Sequence, residues 1–168
     1  MTPAASRATL SPARQEDADR VADIWHLGWQ DGHRGLVPVA LAEARTEDSF
    51  SARAAERVAD TTVATVDGVV VGFVMVVDDE VEQVYVTSEA RGTGVARELI
   101  VEAERQVRAN GHETAWLAVV PGNARARAFY ARAGWVDEGP FDYQASDDGR
   151  SIGVPCHRYV KRVANDDR

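Results

Sequence analysis

The sequence predicts a mixed α/β (α+β) fold, in which about four helices flank a mostly antiparallel sheet of about six to seven strands. Three runs rich in β-branched residues, 61–66, 69–77 and 80–86, are joined by two-residue links, which is typical of an antiparallel meander. A helical pattern over 94–110 and a strand pattern over 114–120 come next. A strand, a helix and a strand in this order indicate one parallel crossover, so we expect the meander to lead into a single βαβ unit.

The remaining elements are predicted from hydrophobic periodicity and from glycine and proline punctuation. In chain order they are a short strand over 8–13, a helix over 15–30, a loop over 31–38, a second helix in part of 39–59, a helix over 123–134 and a last antiparallel pair over 135–144 and 153–163.

Length and composition predict one globular domain over residues 1–168, with frayed tails at 1–6 and 164–168. No apolar run has the length of a membrane span, and the N-terminus lacks the apolar core of a signal peptide, so we expect a cytoplasmic protein without a membrane partner. Cys156 is the only cysteine and excludes an intrachain disulfide. The four histidines are scattered, and no metal site is expected.

The charge balance argues against nucleic acid as a partner. The chain carries 27 acidic and 19 basic residues, for a formal net charge of −8, whereas phosphates require a basic face. An acidic protein attracts cations, which weakly favours a cationic ligand. Lys161 is the only lysine, and a GC-rich coding bias explains this dominance of arginine.

The loop "RGTGVA" at 91–96 places Gly92 and Gly94 directly before a helix. A phosphate-binding P-loop requires Lys-Ser/Thr after its last glycine, and a dinucleotide fingerprint requires a third glycine where this chain has Arg97. Both interpretations are set aside, while a simple connecting turn remains open. Bare backbone N–H groups at a helix start form an anion site, to which Arg91 adds positive charge.

These residues resemble the GCN5-related N-acetyltransferase (GNAT) superfamily. "RGTGVA" matches its R/Q-x-x-G-x-G/A signature, and "EVEQVYVTSEARGTGVARELI" is similar to the whole of its motif A. "NARARAFYARAGW" is similar to motif B, with tryptophan in place of the final phenylalanine, and "LSPARQEDADRVADIW" to the usual first strand and helix. The resemblance covers nearly all of residues 8–162 and implies an acetyl-CoA-dependent enzyme, similar to uncharacterised small-molecule members.

The resemblance also implies where the cofactor binds. Strands 80–86 and 114–119 are expected to splay, so that the pantetheine arm pairs with the free backbone of Val84, Tyr85 and Val86, and the N–H of Val84 polarises the thioester carbonyl. Asn123 is expected to bond the cofactor's amide groups, although it fits the N-cap of its helix equally well. The pyrophosphate is expected on the loop residues Arg91, Gly92, Thr93, Gly94, Val95 and Ala96.

Three residues are candidates for proton transfer. Tyr130 is placed to give a proton to the leaving thiolate, although a core aromatic role also fits. Glu80 and Glu82, two apart on one strand, are candidates for the base, and strand alternation predicts that they share a face with Val84 and Val86. The alternative is that Glu80 and Glu82 are merely solvated carboxylates at the end of the sheet.

The acceptor site is expected between the first two helices and their loop. Trp25, Trp29 and His33 are the candidate substrate-binding residues, with His26 and Arg34 nearby, and Trp25 fits the core as well. We expect direct attack by a primary amine of a small molecule. A non-catalytic acetyl-CoA sensor, a protein N-terminal or lysine acetyltransferase and a nucleotide-binding module are the alternatives. The sequence does not choose among antibiotic, polyamine, amino acid and protein N-terminus, and it leaves open a monomer or a homodimer.

Overall fold

The computed structural model describes residues 8–147 and 149–164, and the predicted frayed tails lie outside this part of the chain except for Ala164. Five α-helices and seven strands form within it. The helices are α1 (Ala18–His33), α2 (Val39–Ala44), α3 (Glu47–Glu56), α4 (Val95–Ala109) and α5 (Ala124–Arg132). The strands are β1 (Thr9–Pro12), β2 (Thr61–Val66), β3 (Val69–Val77), β4 (Glu80–Val86), β5 (Thr114–Val119), β6 (Val136–Asp147) and β7 (Arg150–Arg162).

The seven strands of the described residues form one sheet in the order β1-β2-β3-β4-β5-β7-β6. Every neighbouring pair is antiparallel except β4 and β5, which run parallel on either side of the crossover through α4. The fold class predicted from the sequence is therefore confirmed, including the meander and the single parallel pair.

The helices differ from the prediction in two places. The segment 39–59 holds two helices instead of one, because Thr46 interrupts it and caps α3 by accepting a hydrogen bond from the N–H of Ser49. Helix α1 continues through 31–33, which were expected to be loop. Gly32 is needed there, since a Cβ would lie 2.9 Å from Nδ2 of Asn123.

Two apolar clusters cover the two faces of the sheet. Phe73 of β3 packs with Trp25 of α1 and Phe50 of α3 on one face. Val74, the next residue of β3, packs with Leu99 of α4 on the other face. The alternation along β3 therefore fixes α1 and α3 on one side of the sheet and α4 on the other.

The β6–β7 hairpin is longer than predicted and reaches back over the α1 side of the sheet. Its two strands have 12 and 13 residues and stay paired up to Asp147 and Arg150. Arg45, which follows α2, donates a hydrogen bond of 2.9 Å to the backbone oxygen of Ser146. The end of the hairpin thus lies over the segment between α2 and α3.

Candidate active site

The parallel strands β4 and β5 separate soon after they begin. Glu80 and Trp116 are their single paired position within the described residues, and the N–H of Trp116 donates to the oxygen of Asp79 at 3.1 Å. A cavity of about 360 Å³ is lined by both strands, by α1, α3 and α5, and by the β6–β7 hairpin. The splayed pair predicted from the resemblance is therefore present, and the gap between its strands forms part of this cavity.

The backbone of β4 faces the gap at alternate residues. The N–H of Thr87, directly after β4, donates to Val71 in the antiparallel ladder with β3. Hydrogen-bonded and non-hydrogen-bonded pairs alternate in such a ladder, so Tyr85 takes the next bonded position, opposite Phe73. Val84 and Val86 consequently direct their backbone groups away from β3 and toward the gap, as the predicted pairing with a pantetheine arm requires.

A β-bulge changes which side chains share a face of β4. Val76 pairs with Val81 and Met75 pairs with Gln83, so Glu82 is the extra residue. The expectation that both glutamates share a face with Val84 and Val86 was therefore wrong. Because the bulge shifts the alternation by one residue, the side chain of Glu80 lies on the same face as Tyr85, toward the cavity.

Each glutamate has a different partner. Glu82 accepts two hydrogen bonds from Arg57, at 2.6 and 3.0 Å. Glu80 accepts a hydrogen bond of 2.8 Å from the hydroxyl of Tyr143 on the hairpin. Burial raises the pKa of Glu80 above its usual value; the hydrogen bond from Tyr143 lowers it, and the charges of Glu82 and Asp79 raise it further. Burial of Glu80 thus favours its protonated form.

Tyr130 extends from α5 into the same cavity. Its ring contacts Phe129, Trp135 and Tyr159, so part of the predicted core role is real. Only Tyr130 of the Phe129-Tyr130 pair lines the cavity, and its hydroxyl has no hydrogen-bond partner among the described residues. Burial raises the pKa of this phenol above its usual value and keeps its proton in place at neutral pH.

Asn123 caps α5 and lines the cavity at the same time. Its Oδ1 accepts a hydrogen bond of 3.2 Å from the N–H of Ala126. Its Nδ2 points toward α1 at Gly32. The N-cap role is therefore observed, and it leaves the amide nitrogen available for a ligand.

The glycine loop has the backbone conformation that only glycine adopts without strain. Gly92 has φ +77° and Gly94 has φ +92°, and α4 begins at the following residue. The N–H groups of Arg91 and Thr93 donate to the oxygens of Ser88 and Ala90, so both are occupied by turns. The remaining loop N–H groups have no acceptor in the described backbone, namely those of Gly92, Gly94, Val95 and Ala96.

Arg91 ties the loop to α1. It forms an ion pair of 2.8 Å with Asp31. Arg91, Asp31 and Asn123 line a second, shallower cavity of about 370 Å³ that adjoins the first at Asn123. Of the predicted cofactor residues, Arg91 and Asn123 therefore line the shallower cavity, and Asn123 also lines the larger one together with Val84 and Tyr85.

The three residues predicted to bind the acceptor substrate lie on one side of α1, and all three line the cavity. Trp25 is fully buried and packs on Phe50 and Phe73, so its core role is also met. The rings of Trp29 and His33 stack at 5.0 Å, and burial lowers the pKa of His33, which is therefore neutral at physiological pH. His26 and Arg34 lie outside the cavity.

Among the cavity residues that sequence reasoning missed are three arginines and a tyrosine, namely Arg45, Arg53, Arg57 and Tyr143. Arg53 and Arg57 are four residues apart on one side of α3, beside the buried Phe50 and Ala54. Arginines adjoining the apolar face of a helix were a usable signal, but coding bias had been taken to explain them. Tyr143 could not be found, since its partner Glu80 is distant in sequence.

The chain belongs to the acetyltransferase (GNAT) family, whose model matches residues 21–135. A GCN5-related N-acetyltransferase from Rhodopseudomonas palustris is 25% identical, with a TM-score of 0.72 over 94% of this chain and 96% of that one. The protein yncA of Salmonella typhimurium, solved with its cofactor acetyl-CoA, is 18% identical, with a TM-score of 0.67 over 97% and 98% of the two chains. The ribosomal-protein-alanine N-acetyltransferase of Brucella melitensis is 21% identical, with a TM-score of 0.67 over 92% and 99%. Among curated proteins no sequence match was found.

Members of this family take their acetyl group from acetyl-CoA. The family, the fold and the cofactor expected from the sequence are thereby confirmed, together with acetyl transfer as the class of activity. None of the helices in the described part of the chain is long and apolar enough to cross a membrane. Across residues 8–147 and 149–164, no three His, Cys, Asp or Glu side chains are grouped so that they could hold a metal ion.

Proposed function

We propose that the protein transfers an acetyl group from acetyl-CoA to the primary amine of a small molecule by direct attack. The observation that carries the proposal is the cavity between the splayed strands, with Glu80 and Tyr130 both on its wall. The β6–β7 hairpin contributes Tyr143 and its neighbours 144–146 to this wall. A hairpin beside the expected acceptor site leaves less room for an extended peptide than for a small molecule.

The proposed chemistry assigns one proton transfer to each side of the cavity. Acetyl-CoA supplies the thioester whose carbonyl carbon the amine attacks, so that a C–N bond forms and the C–S bond breaks. Glu80 removes the amine proton, for which its raised pKa suits it, since a base acts best when its pKa lies near the working pH. Tyr130 donates its proton to the thiolate, and the N–H of Val84 stabilises the carbonyl oxygen.

Glu82 is the weaker candidate for the base. Both of its carboxylate oxygens already accept hydrogen bonds from Arg57, so neither is free to accept one from an amine without disturbing that pair. We therefore assign Glu82 a positioning role, in which it holds Arg57 at the wall of the cavity.

Two measurements test the proposal together. Calorimetry should detect binding of acetyl-CoA and CoA, and no binding of ATP or NAD, which separates the family's cofactor from a general nucleotide site. A thiol-release assay over a panel of small amines and peptides should then show turnover with small amines. Binding without turnover would favour the sensor. Turnover with peptides alone would favour a protein acetyltransferase, a question that fold similarity to the Brucella melitensis enzyme leaves untouched.

The cellular location and the oligomeric state are also part of the proposal. We expect a cytoplasmic enzyme, because acetyl-CoA is a cytoplasmic metabolite. Light scattering on the purified protein would distinguish the monomer from the homodimer.

A further inference from the structure

The part of the cavity expected to bind the amine substrate has more hydrogen-bond donors than hydrogen-bond acceptors. Three arginines and two glutamates line it. Arg57 is neutralised by Glu82, and it also contacts Asp60 at 3.0 Å. Glu80 accepts from Tyr143. Both carboxylates are therefore engaged, while Arg45 and Arg53 are not paired with either of them.

Arg53 has no hydrogen-bond acceptor among the described residues. Its guanidinium lies 4.3 Å from the ring centre of Trp25 and 5.9 Å from that of Phe50, so aromatic faces alone support it. Burial lowers the pKa of Arg53 to about 10, and the nearby charge of Arg45 lowers it too. The side chain is still cationic at neutral pH, and the charge of Glu82 stabilises it, but no carboxylate of the described residues contacts it. A partly buried cation of this kind is costly unless a ligand supplies a direct partner.

Arg45 is the second unsatisfied donor. The residue is only 6% exposed, yet the oxygen of Ser146 is its one hydrogen-bond acceptor in the described part of the chain. A guanidinium has five N–H donors, so most of those of Arg45 are free. The buried indole N–H of Trp25, in the wall of the same cavity, also lacks an acceptor there. Only the indole nitrogen is a fully buried atom, whereas the free N–H groups of the two arginines line the cavity, where a ligand with oxygen acceptors can pair with them.

We infer that the acceptor carries an oxyanion beside its primary amine, and that Arg53 and Arg45 bind this oxyanion. The acceptor class is therefore that of amino acids, with a carboxylate or a tetrahedral oxyanion as the second group. This inference rests on the proposed function, because it presumes that an amine enters the same cavity. It also reverses the weak preference for a cationic ligand drawn from the net charge, since the charge of the whole chain does not determine the charge of its cavity.

The arrangement also orients the acceptor. Arg45 and Arg53 come from the segment that joins α2 to α3 and from α3 itself, whereas Tyr130 comes from α5. An oxyanion held by the arginines directs the amine toward Glu80 and the gap between β4 and β5. Binding of a non-reacting group in this way lowers the barrier by orienting the reacting one.

The first experiment compares matched acceptors on the unaltered protein. Each amino acid of a full panel is assayed beside its carboxamide and beside the amine that lacks the carboxyl carbon, with thiol release as the readout. The comparison of acid with carboxamide is biased against the proposal. An amine next to a neutral amide has a pKa of about 7.7–8.0, so it is more often unprotonated, and hence more reactive, than an amine next to a carboxylate. We expect kcat/KM for the preferred amino acid to exceed that of its carboxamide by about 10- to 100-fold, the contribution of hydrogen bonds to a charged group.

The second experiment removes the charge. Arg53→Met keeps much of the side-chain volume, breaks no hydrogen bond and relieves repulsion from Arg45, so the variant should fold, as a thermal melt can check. We expect the ratio of kcat/KM for acid over carboxamide to fall about 10- to 100-fold, chiefly through KM. Arg53→Lys keeps the charge without the planar fork and should lose less. Arg105→Met, on the outer face of α4 where Arg105 pairs with Glu102, is the matched control and should leave the ratio unchanged.

The outcomes separate this inference from the proposed function. If amines and carboxamides are acetylated as well as amino acids, the oxyanion site is wrong and small-amine transfer stands. If Arg53→Met keeps the full preference for acids, the arginine assignment is wrong. If no small amine of any class releases thiol while acetyl-CoA still binds, both proposals fall together.

Discussion

At the scale of single residues, the tyrosines near the cavity differ in what their hydroxyls contact. Tyr143 donates to Glu80, and Tyr159 accepts a hydrogen bond from Arg127. The hydroxyls of Tyr130 and Tyr85 have no partner among the described residues, and both side chains line the cavity. A free phenol is what protonation of a thiolate requires, so the structure adds Tyr85 as a competitor for the role that the sequence assigned to Tyr130.

Tyr130→Phe should lower kcat by about 10² to 10⁴, the usual effect of removing one acid–base group, with little change in acetyl-CoA affinity or Tm. Steady-state kinetics and calorimetry measure these quantities. Tyr85→Phe should change kcat far less, and Tyr159→Phe, which removes a hydroxyl outside the cavity, is the control for packing. A large loss in Tyr85→Phe with an intact Tyr130→Phe would reassign the proton donor.

At the scale of elements, the contact between α1 and β4 positions the part of the cavity that is expected to bind the acceptor substrate. A Cβ on Gly28 of α1 would lie 2.3 Å from Cδ1 of Tyr85, so only glycine lets the helix approach the strand this closely. Trp25 and Trp29 are on the same helix. We therefore expect Gly28→Ala to push α1 away from the sheet and to disturb the cavity as well as the fold.

Gly28→Ala should cost about 1–3 kcal/mol of unfolding free energy, the range for overpacking, and should raise KM for the acceptor. Urea denaturation and steady-state kinetics are the measurements. Gly153→Ala is the matched control, because a Cβ there meets its nearest atom at 3.7 Å, an ordinary contact. If both variants lose the same stability, close approach of α1 is not the reason for Gly28.

The role of the glycine loop can be tested by comparing Gly94 with a glycine outside the loop that has the same backbone conformation. Gly94 and Gly111 have φ of +92° and +95°, and a Cβ at either would meet no atom within 4 Å. Alanine at each position should therefore cost similar stability. Only Gly94→Ala should weaken acetyl-CoA binding, by at least about tenfold for a single lost or blocked charged contact, as calorimetry can measure. Equal affinities in the two variants would contradict the assignment of the pyrophosphate to residues 91–96.

Elements set by local sequence were predicted well, and features set by tertiary contacts were not. The bounds of β2, β3 and β4 match the three predicted runs, because β-branched runs and two-residue links are local signals. The bulge at Glu82 was missed, since it is defined by the register with β3. The roles proposed for Arg45 and Arg53 depend on which groups surround them across α1, β4 and the hairpin, and no pattern within α2 or α3 contains that information.

At the scale of the whole molecule, the cavity places charged groups between two apolar clusters. Such groups reduce stability in exchange for function, a trade-off that is common at active sites. Glu80 illustrates how the contribution of such a group to stability depends on pH. Its pKa is raised by burial, so the folded protein binds its proton more tightly than the unfolded chain does. Its contribution to stability is therefore fully present below the unfolded pKa of about 4.3 and is lost as pH rises through the higher folded pKa.

Glu80→Gln should separate stability from activity. Glutamine imitates the protonated carboxyl and can still accept from Tyr143, so the variant should have a Tm equal to that of the unaltered protein near pH 4 and a higher Tm at pH 7. Its kcat/KM should fall by about 10² to 10⁴, and the part of the acid limb that Glu80 contributes to the pH profile should disappear, which leaves the limb that comes from protonation of the amine. Thermal melts at both pH values and a pH–rate profile measure the two effects. A lower Tm at pH 7 would show that the ionised carboxylate stabilises the fold, and an intact pH profile would remove Glu80 from the mechanism.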